Sequence, residues 1–221
     1  MNRDIPNLIL QGEIQLALKL IGDSIPTNNG TDALAAAAYI RDKELVDILI
    51  SRGASLNLDK PDLIMSAARG GSLAIVSLFL RLGADARSKT ASGVTTLMAA
   101  SDNHFHEVPQ VADLLIRSGA EVNAQNLRGD TVLILAAQAG QLELVKTLIA
   151  HGADVHVFNA AGYSALRRAL WKGHREVARY LIQSGADANE KDPEGRNTWE
   201  WAKQKMRPDI TQMLIDLCPL P

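Results

Sequence analysis

Apolar side chains recur along most of the chain with the spacing of one helical face. In the segment 142–149, Leu142, Val145, Leu148 and Ile149 fall at i, i+3, i+6 and i+7, so a helix presents all four on one side. The pattern predicts a helix that packs one face against a core.

A shorter helix is predicted just before it. The hydroxyl of Thr131 suits the first position of a helix, where it accepts a backbone hydrogen bond. Leu133, Ala136 and Ala137 then lie on the buried side, and the small alanines let neighbouring helices approach closely. Gly140 ends this helix where a left-handed backbone conformation is expected. The two helices together form one helix–turn–helix unit.

The unit repeats along the chain. A Gly-Ala dipeptide ends each copy, and successive glycines of these dipeptides lie 30, 36, 33 and 33 residues apart. The five dipeptides are Gly53-Ala54, Gly83-Ala84, Gly119-Ala120, Gly152-Ala153 and Gly185-Ala186. A period near 33 is typical of one class of helical solenoid.

The residues of two copies identify that class. Residues 126–157 read NLRGDTVLILAAQAGQLELVKTLIAHGADVHV, and residues 159–189 read NAAGYSALRRALWKGHREVARYLIQSGADAN. Both resemble the ankyrin repeat, whose pattern is G-x-T-P-L-H-x-A-A-x-x-G-H-x-x-V-V-x-x-L-L-x-x-G-A-D-V-N. The resemblance covers nearly the whole chain and implies an all-α fold, a solenoid of paired antiparallel helices with projecting hairpin-like loops.

The resemblance also gives the expected organisation of residues 1–221 as a single domain. We interpret 1–24 as an N-terminal cap and 191–221 as a C-terminal capping repeat. The repeats between them are 25–57, 58–87, 88–123, 124–156 and 157–190. The third carries three extra residues around His104 to Pro109, and Pro109 can begin the helix that follows.

The chain departs from the family at the histidine of the T-P-L-H tetrapeptide. The six units have Ala35, Met65, Met98, Ile134, Arg167 and Glu200 at this position, so the family's Thr–His hydrogen bonds are absent. Arg167 and Glu200 are expected to face each other across a repeat interface. Trp199 occupies the buried leucine position and is expected in the core, whereas Trp201 either fills the last interface or covers the cap.

The composition argues against nucleic acid and against a membrane as the partner. The chain is 47% hydrophobic and 22% charged, with a net charge of -2, and it lacks the dense basic stripe of a nucleic-acid-binding protein. We find no secretion signal and no apolar segment long enough to span a bilayer, and Cys218 is the only cysteine. A cytoplasmic protein that is monomeric on its own, with neither nucleic acid nor a membrane as partner, is expected.

Few residues suggest chemistry. The sequence from His104 to Glu107 hints at a metal site, but third and fourth ligands are not evident, and an ordinary polar insertion is the alternative. Cys218 follows an apolar run and is expected to pack in the last helix. Asn57, Asn123 and Asn189 are expected to bond backbone groups in turns, although the family resemblance also allows hydroxylation there.

No cofactor and no nucleophile–base set is indicated, so we expect no enzyme. The alternative is an enzyme or a protein that binds a small ligand or metal through the insertion.

The family resemblance implies that a protein partner docks on the loop tips and on the concave face of the first helices. Tyr, Trp and Arg, which are enriched at interfaces, recur there. The predicted partner-binding residues are Arg69, Asp102, Asn103, Phe105, Arg128, Asp130, Gln138, Tyr163, Trp171 and Lys172. Alternatively, the aromatic residues cover exposed edges of their own repeats. The expected function is that of a protein-binding adaptor or inhibitor.

Overall fold

The structure of the chain, a computed structural model, describes residues 4–21, 30–58, 60–102 and 106–217. These residues form helices and no β-strand, and one isolated antiparallel bridge joins Lys89 to Thr95. The all-α prediction is therefore confirmed. Of the helices described, none is both long enough and apolar enough to cross a membrane.

The helices fall into two compact units. The first unit comprises residues 1–90 and 95–120. Its helices are α1 (Ile5–Leu10), α2 (Ile14–Ile21), α3 (Gly30–Tyr39), α4 (Lys43–Ser51), α5 (Asp62–Gly70), α6 (Leu73–Arg81), α7 (Thr96–Ala100) and α8 (Val108–Arg117). The first helices of successive pairs, α1, α3, α5 and α7, pack in order, and the second helices α4, α6 and α8 pack behind them. As predicted, Pro109 lies in the first turn of α8.

The second unit comprises residues 91–94 and 121–221. Its helices are α9 (Val132–Ala139), α10 (Leu142–Ala150), α11 (Ala165–Lys172), α12 (Arg175–Gln183), α13 (Thr198–Gln204) and α14 (Pro208–Leu217). Here α9 packs on α11 and α10 on α12, while α14 contacts both α11 and α12. The buried residues of α9 include Leu133, Ala136 and Ala137, which is the face that the sequence predicts.

Four first helices begin in the same way. The side-chain oxygens of Thr95, Thr131, Ser164 and Asn197 accept hydrogen bonds from the backbone N–H three residues further on, at 3.1, 3.3, 3.3 and 2.9 Å. Each bond satisfies a donor that has no partner inside its helix. The capping role predicted for Thr131 is confirmed.

Two glycines allow close packing at the ends of first helices. Gly140 ends α9 with φ of 73°, and a Cβ there would lie 2.6 Å from the ring of His174. Gly70 has an ordinary helical backbone, yet a Cβ would lie 2.6 Å from the carbonyl oxygen of Ala38 in the preceding first helix. Both positions therefore exclude any larger side chain.

The structure corrects the expected partner of Arg167. This residue is fully buried, and its Nη1 donates to a carboxylate oxygen of Asp192 at 2.6 Å. Glu200 instead accepts from the backbone N–H of Asn197, closing a capping box at the start of α13. The expected Arg167–Glu200 pair was wrong because Glu200 lies in the first turn of its own helix and is used to cap it.

Candidate protein-binding groove

The loop tips of the second unit are built around three side chains spaced 33 residues apart: Asn126, Asn159 and Asp192. Oδ1 of Asn126 accepts the backbone N–H groups of Arg128 at 2.8 Å and Asp130 at 3.0 Å. Asn159 and Asp192 accept the two equivalent N–H groups of their own tips at 2.9–3.0 Å. These residues are not among the predicted site residues, although their 33-residue recurrence in the sequence is a signal that could have revealed them.

Neighbouring tips are also joined through their backbones. The N–H of Ala160 donates to the carbonyl oxygen of Arg128 at 3.0 Å, and the N–H of Leu127 donates to that of Ser92 at 3.0 Å. These backbone hydrogen bonds hold neighbouring tips at a fixed spacing.

A groove of about 440 Å³ lies between two of these tips and the helices α9 and α11, entirely within the second unit. Its volume falls in the range of about 300–1,000 Å³ that is usual for ligand sites. We call it the tip groove, and it is lined by Leu127, Arg128, Asp130, Leu135, Gln138, Asn159, Ala160, Ala161 and Arg168.

One wall of the tip groove carries an ion pair. Asp130 is only 4% exposed and accepts a hydrogen bond from Nδ2 of Asn159 at 2.6 Å. Nε of Arg128 lies 3.2 Å from the same carboxylate, while the Arg128 side chain stays 77% exposed. Asp130, which the sequence places among the predicted partner-binding residues, is therefore buried, because the next tip supplies the amide that covers it.

Arg168 also lines the groove, and it is not among the site residues predicted from the sequence. Its guanidinium carbon lies 3.9 Å from the centre of the Tyr163 ring, which is within the range of a cation–π contact. The Arg168 Nε is buried and meets no acceptor among the residues that the structure describes. Tyr163 does not line the groove itself, but it stacks on an arginine that does.

Tyr163 and Trp171 both pack on an aromatic residue of the following repeat. The ring centres of Tyr163 and Trp171 lie 5.7 and 5.8 Å from that of Trp201, and the guanidinium of Arg207 lies 4.7 Å from the Trp171 ring centre. Trp201 is 1% exposed, whereas Trp199 is half-buried. The expectation that Trp199 is the core tryptophan was wrong. Trp201 is buried because aromatic side chains of the preceding repeat cover it.

The other predicted site residues are scattered. Gln138 lines the tip groove and is half-buried, whereas Lys172 is exposed and does not line it. In the first unit, Nε of Arg69 lies 3.1 Å from a carboxylate oxygen of Asp102, and both side chains are exposed. Asn103 and Phe105 lie outside the described residues. The structure therefore brings Arg128, Asp130 and Gln138 together at one groove and pairs Arg69 with Asp102.

The insertion shows a structural contact at its end. Oε2 of Glu107 accepts the N–H of Leu73 at 3.1 Å, at the start of α6, and Oε1 lies 3.2 Å from Arg41. His104 lies outside the described residues, and so does Cys218. Within the described ranges, no group of three or more His, Cys, Asp or Glu residues is placed to hold a metal ion.

Of the three recurring asparagines, Asn123 bonds backbone groups of the following repeat. Its Nδ2 donates to the carbonyl oxygen of Gly152 at 3.0 Å, and its Oδ1 accepts the N–H of Asp154 at 2.9 Å. This bears out the backbone-bonding role that the sequence predicts for Asn123, as a tie between repeats.

Stacked helix pairs, capped starts and joined projecting tips define the class of a helical repeat solenoid. A family model described as ankyrin repeats (3 copies) matches residues 34–126, 63–156 and 97–192 in overlapping segments. The chain belongs to the ankyrin repeat family, as the sequence pattern predicts. This family is a generic protein–protein interaction module, and it is generally non-catalytic.

Similar proteins come from distant organisms. The chain is 36% identical over 86 residues to "Ankyrin repeat and KH domain-containing protein mask-1" of Caenorhabditis elegans, which is 38% of this chain and 3% of that protein. It is 39% identical over 88 residues to "Probable E3 ubiquitin-protein ligase XBOS32" of Oryza sativa subsp. japonica, covering 38% and 17%. It is 28% identical over 142 residues to "Ankyrin repeat domain-containing protein SAT10" of Stachybotrys chartarum, covering 62% and 7%. The chain thus spans less than a fifth of each of these relatives.

Proposed function

We propose that this chain binds a protein partner through its loop tips and first-helix face, and acts without catalysis as an adaptor or an inhibitor. The observation that carries the proposal is the tip groove, an open concavity flanked by exposed side chains of the types that anchor interfaces.

Two side chains at one tip support this proposal. Leu127 is 80% exposed at the end of a tip, and Arg128 beside it is 77% exposed. A single exposed leucine is ordinary on a protein surface. An exposed leucine and arginine at the edge of a groove of about 440 Å³ form a surface that a partner can desolvate.

The partner-binding test uses this tip and not Trp171. Trp171 packs on Trp201 and Arg207, so its replacement would disturb the protein's own core as well as any interface. Leu127→Asp changes only exposed atoms. Arg128→Gln removes an exposed charge, and the Asp130 carboxylate beside it keeps its hydrogen bond from Asn159. We expect each to weaken binding of the partner by about 2 kcal/mol or more, with melting behaviour nearly unchanged.

The measurement is a titration of the partner, purified with the chain from its native source, against each variant. Lys146→Ala is the control, because Lys146 lies on the second helix α10 and pairs with Glu143 beside it. Parent-like binding by both tip variants, or a loss of binding with Lys146→Ala, would overturn the proposal.

We also propose that the chain is monomeric on its own and works in the cytoplasm. A single cysteine suits a reducing compartment, and the mixed surface charge suits a protein that does not self-associate. Light scattering of the purified chain tests the first point, and imaging of the tagged chain in its source cells tests the second.

A further inference from the structure

Arg168 stands out among the charged residues of the tip groove because nothing in the described chain neutralises it. Its guanidinium stacks on the ring of Tyr163 at 3.9 Å. Among the described residues, no hydrogen bond or ion pair involves its side chain, and its buried Nε meets no acceptor. A native arginine is normally paired with a carboxylate, a carbonyl group or water.

The other two charges of the groove compensate each other. Nε of Arg128 lies 3.2 Å from the carboxylate of Asp130, and the same carboxylate accepts Nδ2 of Asn159 at 2.6 Å. The three charged residues that line the groove therefore have a net positive charge, and this is the charge of Arg168.

We propose that the tip groove recognises an acidic peptide segment of a protein partner, with an Asp or Glu carboxylate on Arg168 and a neighbouring apolar side chain against Leu127 and Leu135. This inference rests on the proposed function and specifies the partner's chemistry.

We infer a carboxylate on the partner because the Arg168 guanidinium is stacked but, among the described residues, has no acidic group beside it. A guanidinium offers a planar fork of donors that fits a carboxylate with two parallel hydrogen bonds. Stacking on Tyr163 already fixes the plane of that fork, so less side-chain freedom is lost when an acid binds. The stacked guanidinium of Arg168 is thus already oriented to bind an acidic group.

We infer an apolar residue next to the acidic residue of the peptide because the rest of the groove lining is largely apolar. Leu127 is 80% exposed, Leu135 is half-buried, and Ala160 and Ala161 present small exposed side chains along the groove. A segment made only of acidic residues would leave these apolar surfaces unused.

The test is selection of random displayed peptides on the full chain, followed by titration of a selected peptide in solution. We expect selected peptides to share an Asp or Glu beside an apolar residue. Arg168→Gln should weaken the selected peptide at least about tenfold, which is the loss expected for a hydrogen-bonded charge. Changing the peptide's acidic residue to its amide should weaken binding equally, and should remove the difference between the parent chain and Arg168→Gln.

Arg179→Gln provides the matched control, since Arg179 lies on α12 and pairs with Glu176. Arg168→Lys keeps the charge without the planar fork and should give an intermediate loss, while a melting curve checks that each variant is folded. Selected peptides without acidic enrichment, a preference for phosphoserine over Glu, or equal behaviour of Arg168→Gln and Arg179→Gln would each overturn the inference. If Leu127→Asp still abolished partner binding in those cases, the proposed function would stand and only its acidic specificity would fail.

Discussion

At the scale of single residues, Arg167 is a charged side chain that the fold removes from water. It occupies the position at which the family has histidine, and its guanidinium is fully buried. Besides Asp192, it donates to the carbonyl oxygens of Gly162 at 2.8 Å and Arg196 at 2.6 Å, and to Oγ1 of Thr198 at 3.3 Å. Burying a charge is costly unless it is paired and hydrogen-bonded, and here both conditions are met.

Removing the charge of Asp192 tests this pair. Asn occupies the equivalent tip position at Asn126 and Asn159, so Asp192→Asn keeps the acceptor that shapes the tip. We expect Asp192→Asn to lower the free energy of unfolding by about 3–5 kcal/mol, because Arg167 is left buried without its counter-charge. Urea denaturation of the full chain measures the difference.

Glu176→Gln is the control for that substitution. It breaks the exposed pair with Arg179 and should cost no more than about 1 kcal/mol. Equal costs for the two substitutions would show that the buried pair contributes nothing special.

The same carboxylate gives a pH dependence. Burial alone would raise the pKa of Asp192, but hydrogen bonds from the backbone N–H of Arg196 and from the Arg167 and Arg196 side chains lower this pKa from 3.8 to about 2. A lowered pKa in the folded state means that this contribution is complete above the unfolded value and is lost as the pH falls towards 2.

We therefore expect the free energy of unfolding to decline between about pH 4 and pH 2, and to decline less steeply in Asp192→Asn. Denaturant titrations of both chains across this range measure the two slopes. Parallel pH curves would mean that Asp192 does not titrate with a lowered pKa.

At the scale of elements, the position four residues after the glycine of a Gly-Ala dipeptide ties successive repeats at Arg87, Asn123 and His156. Within the first unit, Nε of Arg87 donates to the carbonyl oxygen of Gly119 at 3.1 Å. Within the second, Asn123 bonds the next loop, and Nδ1 of His156 lies 2.9 Å from Glu190, whose hydrogen bond raises the pKa of His156. Different side chains at this position thus reach the following repeat, Arg87 and Asn123 through a glycine carbonyl oxygen and His156 through a carboxylate.

Aromatic packing holds α13, the first helix of the last pair. Trp201 is fully buried against Tyr163 and Trp171, so Trp201→Ala should lower the free energy of unfolding by about 3–5 kcal/mol through lost contacts and a cavity. Trp199→Ala should cost less, because the side chain is only half-buried. Thermal and urea denaturation of the two variants side by side measure the order, and the reverse order would contradict the packing described here.

At the scale of the whole molecule, the period near 33 residues and the resemblance of its copies to the ankyrin repeat together predicted the repeat class. The period also placed Arg128, Asp130 and Gln138 in one region. It could not predict that Asn159 covers Asp130, or that Trp201 and not Trp199 is buried. Those outcomes depend on which side chains of the neighbouring repeat reach the position, and a period within one chain carries no such information.

Deleting residues 191–221 tests whether the second unit depends on its last helix pair. These residues supply Asp192, Thr198 and Trp201, which all contact Arg167, and they supply α14, which packs on α11 and α12. Each repeat of a solenoid buries its apolar face only against a neighbour, so removal exposes that face together with an unpaired arginine. We expect the shortened chain to aggregate or to lose cooperative unfolding, as measured by light scattering and urea denaturation. The same truncation with Arg167→Met separates the two causes: recovery of a monomer would assign the damage to the unpaired charge, and continued aggregation would assign it to the apolar face. A truncated chain that stayed monomeric with an unchanged denaturation midpoint would show that the last helix pair does not stabilise the repeats before it.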